Sequence, residues 1–478
     1  MKRNEKLNWI LTAVLAVFVL TANLAGATEI RKLTIKLRGV YESKITLSPF
    51  NGVRVAKALS EISGVTSGDA VDFDIPVSNL PGEFLIRFDY KAKETDSPYP
   101  SELQLYINNE NITVDAHPMY MNGDSLRLTN DRENRAWFAF QKKSMEERQQ
   151  MGLLQQLLAQ YNQRESTVWH EAETALEKRR VIYNKWIDQQ IIADRDLYVS
   201  HLYGFQRLNA VNWKASPQEQ MNAQANAWFN TFDVNDTLAL RSRQMNEFIG
   251  GFVGLYGQQA TTEALRDSLF AEAGRRACTK VSKGDPKVYG WMVDYFYNGF
   301  ETYNITKGLE MLEKFSADPR CHTSRKAEIA RRTEGIKKLV PGVVVPRLTL
   351  HNFDDFEVAV DTHTCDKGFR LIVFYDSECG HCHDLLTALQ KWYAIPENSV
   401  WLDVVSIATD RTREGWEPFH TGKAFPWTDL YAPEGLNSKA AADYYVLSAP
   451  YMYLVDNKGI LVSIPNTVEE LDNMIKGK

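Results

Sequence analysis

The chain has 478 residues, which is more than a single hydrophobic core usually supports, so several domains are expected. Its 44% hydrophobic and 24% charged residues are ordinary for a globular protein, and its many aromatic residues argue against long disordered stretches. The formal net charge is −6 and no block of Lys and Arg follows the first few residues, which excludes the clustered basic footprint of a nucleic-acid-binding protein.

The first segment of the chain has the three parts of an export signal. Residues 2–6 contain three basic side chains, residues 9–20 are mostly apolar, and residues 25–27 are Ala-Gly-Ala, a small-residue cleavage site. The apolar run is shorter than a membrane span needs. We therefore expect residues 1–27 to be a cleaved signal peptide that delivers the mature protein to the periplasm, where disulfides form, without a membrane anchor. An uncleaved N-terminal anchor is the alternative.

Residues 28–129 are predicted to form a β domain. The segment KLTIKLRGV alternates Leu33, Ile35 and Leu37 with polar residues, the period-two pattern of a strand with one buried face. Similar segments follow at intervals of about ten residues, separated by turn residues such as Pro81-Gly82. Short, evenly spaced strands of this kind indicate an antiparallel β-sandwich.

Residues 130–339 are predicted to form an all-α helical domain. Long segments repeat apolar residues with a helical period, between polar faces rich in Gln, Glu and Lys. One segment, residues 289–303, concentrates seven aromatic side chains. We expect these aromatic side chains to pack between helices; an exposed groove for an unfolded substrate or a partner is the alternative.

The sequence pattern changes to α/β in residues 340–478. FRLIVFY (369–375) and VWLDVVSIATD (400–410) are continuous apolar runs, typical of strands that are buried on both faces. HDLLTALQKWY, which lies between them, is an amphipathic helix, and residues 457–459, Asn-Lys-Gly, predict a hairpin turn. A central sheet covered by helices follows from this order.

A C-x-x-C motif lies between the first buried strand and its helix, and it carries the candidate chemistry. Cys379 is expected at the N-terminus of the helix, where free backbone N–H groups and the helix dipole favour its thiolate. Cys382, one turn later, is then placed to attack a mixed disulfide on Cys379. His381 between them, when protonated, stabilises the thiolate further and makes the pair more oxidising. The motif therefore predicts a redox dithiol, with Cys379 as nucleophile and Cys382 as resolving thiol.

Three other interpretations of these residues are disfavoured by their surroundings. Cys379, Cys382 and His383 also spell the C-x-x-C-H signature of a c-type haem, but small haem proteins are mostly helical and the motif here follows a long buried strand. A zinc site needs a second ligand pair, whereas His363 and His420 are isolated in the sequence. An inert structural disulfide would close a loop too short to stabilise much of the chain. We therefore expect neither a metal nor a cofactor at these residues.

Several separated segments together resemble one known family. PGVVVPRLTL, the buried strand, CGHC, VSIATDRTREGWEPF and VLSAPYMYLVDNKGIL resemble, in this order, the thioredoxin fold of the TlpA-like thiol–disulfide oxidoreductases, over residues 340–478. The resemblance implies that Pro450, after Ala449, is a cis-proline that faces the dithiol and exposes the preceding backbone to an extended substrate chain. The order of a strand-rich, a helical and a thioredoxin-like part is similar to exported proteins of Bacteroidetes-type bacteria.

The sequence departs from that family pattern at three places. Glu378 stands where the family commonly has Trp, and its negative charge beside the nucleophile opposes the effect of His381. Gly380-His381 is the middle dipeptide of protein disulfide isomerases. Val373 occupies the position where many thioredoxins carry a buried acid. These departures leave the direction of electron flow open.

The other three cysteines are candidates for structural roles. Cys278 and Cys321 both lie in the helical region, where they either form a structural disulfide or remain two buried free thiols. Cys365, just before the buried strand, is expected to be a lone thiol.

Two functional hypotheses follow from the sequence. The first is an exported thiol–disulfide oxidoreductase that exchanges disulfides with cysteine-containing periplasmic proteins and is served by a redox partner thiol protein. The second is a binding or scaffold protein whose sandwich and helical domains hold a partner or form a homodimer, with a regulatory or vestigial dithiol. The sequence gives the two front domains no catalytic constellation.

Overall fold

The computed structural model describes residues 30–50, 52, 57–121 and 126–477. The predicted signal peptide, residues 1–27, lies outside the described residues. The chain folds into two compact units, Met1–Gln258 and Gln259–Lys478. Within the described ranges, no helix combines the length and the apolar character that crossing a bilayer requires.

The strand-rich N-terminal region forms two four-stranded sheets. Its strands are β1 (Ile30–Leu37), β2 (Glu42–Pro49), β3 (Ser60–Thr66), β4 (Ala70–Pro76), β5 (Gly82–Lys91), β6 (Tyr99–Ile107), β7 (Ile112–Ala116) and β8 (Leu126–Thr129). The strand orders are β4-β1-β7-β8 and β3-β2-β5-β6. Apolar residues alternate along the strands, as predicted, and those of both sheets share one core. β1 pairs with β7 in parallel, which differs from the antiparallel arrangement expected from the sequence.

Within the described residues, five helices complete the first unit. They are α1 (Arg132–Gln160), α2 (Thr167–Ala193), α3 (Ser200–Tyr203), α4 (Pro217–Ala227) and α5 (Arg243–Gly257). Two of the long helices begin at residues whose side chains cap backbone N–H groups: Asp131 accepts from Asn134, and Ser166 accepts from Trp169. The helical character predicted from the sequence period is therefore found from residue 132 onwards.

Buried polar contacts join these helices to the strands. The Asn134 side chain, on α1, accepts from the backbone N–H of Tyr106 at 2.8 Å and donates to its carbonyl at 2.8 Å. The buried Glu83 carboxylate, on β5, accepts from the Ser242 hydroxyl and from the backbone N–H of Arg243 at the start of α5. Burial raises the pKa of Glu83, against these hydrogen bonds, which lower it. Strands and helices up to residue 258 thus form one unit.

The second unit begins with four helices and continues with a seven-stranded sheet. The helices are α6 (Glu263–Val281), α7 (Pro286–Thr302), α8 (Thr306–Ala317) and α9 (Lys326–Lys338). The following elements are β9 (Leu348–His351), β10 (Glu357–Val360), β11 (Phe369–Tyr375), α10 (Gly380–Tyr393), α11 (Pro396–Ser399), β12 (Leu402–Ala408), α12 (Arg413–Lys423), β13 (Thr428–Tyr431), α13 (Lys439–Asp443), β14 (Tyr451–Asp456), β15 (Leu461–Ser463) and α14 (Val468–Lys476).

The order of strands in this sheet is β10-β9-β13-β12-β11-β14-β15. β11, β12 and β13 run parallel to one another, and β14 and β15 are antiparallel to their neighbours. β11 is central and its last five residues are buried, as the apolar run 369–375 predicts. β14 and β15 are joined by the predicted Asn-Lys-Gly hairpin, in which Gly459 has a φ of +74°.

Helices α6 to α9 pack against one another around the aromatic segment, which lies on α7. A Cβ on Gly290 would lie 2.1 Å from the His322 carbonyl oxygen, so only glycine allows this approach. Five of the aromatic side chains are buried: Tyr289, Trp291, Phe296, Tyr297 and Phe300. The prediction that this segment packs between helices is confirmed for these five, whereas Tyr303 is 66% exposed.

The boundary between the two compact units lies within the predicted helical region. The sequence predicts one helical domain over residues 130–339, because nearly all of this region fits a helical period. In the structure the helices up to α5 belong to the first unit, and those from α6 onwards belong to the second. Periodicity identifies helices but carries no information about which core they cover.

Candidate functional site

The dithiol lies where β11 ends and α10 begins. Cys379 is the N-cap residue of α10, and its sulfur accepts a hydrogen bond from the backbone N–H of Cys382 at 3.4 Å. A negatively charged sulfur at this position is favoured by the free N–H groups and the dipole of the helix. Cys379 is half-buried, whereas Cys382 is fully buried among apolar residues. The outer thiol is therefore the one that a substrate sulfur can reach.

The environment of Cys382 disfavours its thiolate. Burial raises the pKa of the Cys382 thiol well above its usual range, and the neighbouring Cys379 and the charge of Asp376 raise it further. The backbone N–H of Asp376 donates to the Cys382 sulfur at 3.5 Å and acts in the opposite direction. The two thiols thus differ in their surroundings, because Cys379 is half-buried and burial disfavours the thiolate of Cys382.

The loop before β14 forms the other wall of the site. The peptide bond between Ala449 and Pro450 is cis, as the family resemblance implies. The thiol of Cys379 donates to the Ala449 carbonyl at 3.7 Å, and Tyr451 begins the strand that pairs with β11. The fold thereby brings the Cys379–Cys382 motif together with Ala449 and Pro450, which lie far from it in the sequence.

Glu378, Gly380 and His381 surround the nucleophile on its exposed side. All three are exposed, and the backbone N–H of Glu378 donates to the Asp376 carboxylate at 2.8 Å. A Cβ on Gly380 would meet no atom within 4 Å, so the fold does not require glycine there. These three residues are therefore open to an approaching partner chain.

The sequence patterns did not identify two acidic residues near the dithiol. Asp376 lies in the loop between β11 and α10, and its carboxylate accepts from the backbone N–H of Glu378. Asp410, at the end of the β12 run, accepts from the backbone N–H of Ser377 at 3.2 Å and from its hydroxyl. Burial raises the pKa of the Asp410 carboxyl, and the bonds from Ser377 lower it. Because β11 and β12 are parallel neighbours, both residues follow strand ends at the same sheet edge, which is the signal that could have found them.

His383, the histidine of the C-x-x-C-H pattern, makes two contacts beside the dithiol. Its Nε2 donates to the Ser377 carbonyl at 2.6 Å, and its ring packs on Phe419 with centroids 4.7 Å apart. Among the described residues, His, Cys, Asp and Glu side chains form no group of three or more that could hold a metal ion.

The predicted disulfide between Cys278 and Cys321 is not formed, and all five cysteines are free thiols. Cys278 and Cys321 are both buried, and burial raises the pKa of Cys321 to about 11. Burial also raises the pKa of Cys278, and the nearby Cys321 adds to this effect. The alternative of two buried free thiols is therefore the one that this structure contains. Cys365 is a half-buried thiol that donates to the Phe369 carbonyl at 3.6 Å.

Replacing Asp376 with Asn is expected to lower the pKa of Cys382. The substitution removes a negative charge that disfavours the Cys382 thiolate, and it leaves the backbone N–H that donates to the sulfur in place. A ¹³C NMR titration of the reduced protein, labelled at cysteine Cβ, measures this change. The exposed Asp384, on the same helix, provides the control variant Asp384→Asn. An unchanged Cys382 titration in Asp376→Asn would contradict the expectation.

No family model matches this sequence, and no curated protein matches it. Solved structures do match. A thioredoxin-like protein from Bacteroides caccae is 15% identical, with a TM-score of 0.40, and the match covers 57% of this chain and 98% of the other. The thioredoxin domain of a thiol-disulfide oxidoreductase from Bacteroides vulgatus is 20% identical, with a TM-score of 0.26, covering 29% and 97% of the two chains.

A thiol-disulfide oxidoreductase from Bacteroides fragilis is 22% identical, with a TM-score of 0.25, and covers 28% of this chain and 98% of its own. These three solved structures are of a thioredoxin-like protein and of thiol-disulfide oxidoreductases from Bacteroides species, and this chain is similar to them.

Proposed function

We propose that this protein is an exported thiol–disulfide oxidoreductase. Its second unit would contain a thioredoxin fold around the sheet of β9 to β15, and its N-terminal sheets would form a β-sandwich. One observation supports this above all others. A half-buried Cys379 caps a helix one turn before a fully buried Cys382, and it lies against the Ala449 carbonyl next to a cis-proline. In this arrangement the Cys379 thiolate can attack a substrate disulfide, and the buried Cys382 thiol can then resolve the mixed disulfide.

The exchange proceeds in two balanced steps. The Cys379 thiolate attacks one sulfur of a substrate disulfide, a mixed disulfide forms, and the other substrate sulfur leaves as a thiolate. The Cys382 thiol then releases its proton to solvent, and its sulfur attacks the Cys379 sulfur. The Cys379–Cys382 disulfide forms and the second substrate thiolate leaves. The substrate gains two electrons and the protein dithiol loses two; the reverse sequence oxidises a substrate dithiol.

The neighbouring residues have supporting roles in this proposal. Ala449 and Pro450 shape the backbone edge against which an extended substrate chain lies. His381 stabilises the Cys379 thiolate when it is protonated, and Glu378 opposes it. Because Glu378, Gly380 and His381 are exposed, they also contact the substrate during the mixed-disulfide stage.

The proposed substrates are cysteine-containing proteins of the periplasm, which the chain reaches through the signal peptide of residues 1–27. A second thiol protein restores the dithiol or the disulfide after each cycle. The reaction needs no cofactor, because the electrons move between sulfur atoms only.

The experiment that tests this function is a redox titration combined with an activity assay on the mature chain. Glutathione buffers should convert Cys379 and Cys382 into one disulfide, with a potential between about −270 and −120 mV, the range of known dithiol proteins. The same preparation should accelerate the reduction of insulin disulfides by dithiothreitol. Cys379→Ser should lose both properties.

The control is Cys365→Ser, which removes a thiol outside the site and should leave potential and activity unchanged. Insulin reduction that survives in Cys379→Ser, or thiols that stay unpaired across the whole buffer range, would refute the proposed function.

A further inference from the structure

Helices α7 and α9 contribute a buried ion pair to the second unit. Arg332 Nε lies 2.9 Å from a carboxylate oxygen of Glu301, and the two side chains are only 3% and 10% exposed. Arg332 also donates to the Asn304 side chain at 3.0 Å. Removing two charges from water costs free energy, so a buried pair needs good geometry and further hydrogen bonds to be retained.

Both members of this pair also bind the loop before β14. The second carboxylate oxygen of Glu301 accepts from the Ser448 hydroxyl at 2.9 Å. Arg332 donates to the Tyr451 hydroxyl at 2.6 Å, and its guanidinium lies 4.5 Å from the centre of the Tyr451 ring. The ion pair therefore holds the loop at two points, one on each side of Ala449 and Pro450.

The held segment is the one that touches the nucleophile. The Ala449 carbonyl, which accepts from the Cys379 thiol at 3.7 Å, follows directly after Ser448. On the other side, Tyr451 is fixed both by Arg332 and by its pairing with Phe374 on β11. The path from Glu301 to the reactive sulfur thus consists of the hydrogen bond from Ser448, the backbone from Ser448 to Ala449, and the contact of the Ala449 carbonyl with the Cys379 thiol.

We propose that Glu301 and Arg332 are positioning residues that hold the backbone of residues 448–451 in the conformation that receives the extended chain of a protein disulfide substrate. This inference rests on the proposed function and gives a part of the helical region a role in it. Neither residue reaches the reacting sulfurs; both act through the loop. Helices α7 and α9 are thus required for exchange with protein substrates, and not only for the fold of the unit.

The size of the substrate separates this role from a merely structural one. A small disulfide such as 5,5′-dithiobis(2-nitrobenzoate) needs only the Cys379 thiolate. A protein disulfide must also place several residues of chain along the loop edge. Disturbing the loop support should therefore raise KM for the protein substrate and leave the reaction with the small disulfide unchanged.

The test uses the full mature chain with Ser448→Ala and Glu301→Gln. Ser448→Ala removes one hydrogen bond to the ion pair without leaving a buried charge, so it is the milder variant. Each variant should raise KM for insulin by about three- to tenfold, within the range expected when one ordinary hydrogen bond is lost. The rate with 5,5′-dithiobis(2-nitrobenzoate) should stay within about twofold of the wild-type rate. The redox potential of the dithiol should be unchanged.

Glu313→Gln is the matched control, because Glu313 and Lys337 form an ion pair between α8 and α9 that is exposed on both sides. It should leave both substrates unaffected. The positioning role would be overturned if Ser448→Ala and Glu301→Gln reduced activity equally with insulin and with the small disulfide. It would also be overturned if neither variant reduced activity with insulin. A wild-type chain that reacts with neither substrate would instead overturn the proposed function itself, so the two failures are distinguishable.

Discussion

Cys382→Ser should convert the protein into a trap for its substrates. The variant keeps the Cys379 thiolate and lacks the thiol that releases the mixed disulfide, so a covalent adduct should accumulate. Turnover should fall by at least about a hundredfold, as expected when a residue of a covalent mechanism is removed. Non-reducing electrophoresis of the variant after incubation with periplasmic proteins measures the adduct, and dithiothreitol should dissolve it.

The structure supports this difference between the two cysteines. Cys379 is half-buried and its sulfur receives a helix N–H group, whereas Cys382 is buried and burial raises the pKa of its thiol. We therefore expect a substrate sulfur to join Cys379 rather than Cys382. Cys379→Ser should consequently form no adduct, although it still carries Cys382.

The decisive control is the double variant Cys379→Ser with Cys382→Ser, which should give the same background as Cys379→Ser alone. Adducts that form through Cys382 in Cys379→Ser would reverse the proposed assignment of nucleophile and resolving thiol. Adducts that also form in the double variant would come from one of the remaining thiols, and the dithiol would then not be the reactive site.

Local patterns in the sequence are sufficient to predict the immediate surroundings of the dithiol. The apolar run at 369–375 forms the central strand β11, and the helix that follows it begins at Gly380 with Cys379 as its cap. The Asn-Lys-Gly turn also forms the expected hairpin. These features depend on residues that are close in sequence, so propensity, period and turn chemistry are enough to find them.

The features that escaped prediction depend on contacts between residues far apart in sequence. Asn134 binds Tyr106 and thereby joins the first helix to the strands within the unit Met1–Gln258. Glu301 binds Ser448, which lies 147 residues further along the chain. Neither side chain has a local signature, because a polar residue on a helix usually faces solvent. Their roles become visible only when the partner elements are in place.

Replacement of the buried carboxylate of Asp429, which binds the last residue of β11, has the largest expected effect on stability. The Asp429 side chain, on β13, is 1% exposed. It accepts hydrogen bonds from four donors on three elements, β11, β12 and α12: Tyr375 Oη, Ser406 Oγ, Trp416 Nε1 and His420 Nδ1. Burial raises the pKa of Tyr375 and the Asp429 charge raises it further, so the Tyr375 hydroxyl stays protonated and donates. Tyr375 is the last residue of β11, directly before the dithiol loop.

Asp429→Leu should lower the free energy of unfolding of the second unit by about 3–5 kcal/mol, because it leaves several buried donors without an acceptor at once. Asp429→Asn should cost less, since the amide oxygen still accepts from part of the set. Urea unfolding followed by tryptophan fluorescence measures both variants, with the transition of the first unit as internal reference. Asp443→Asn, which removes a largely exposed ion pair with Lys439, should change the value by about 0.5 kcal/mol or less. Equal stability of Asp429→Leu and the wild type would show that these hydrogen bonds do not support β11, and the Tyr375 end of the strand would have to be held by apolar packing alone.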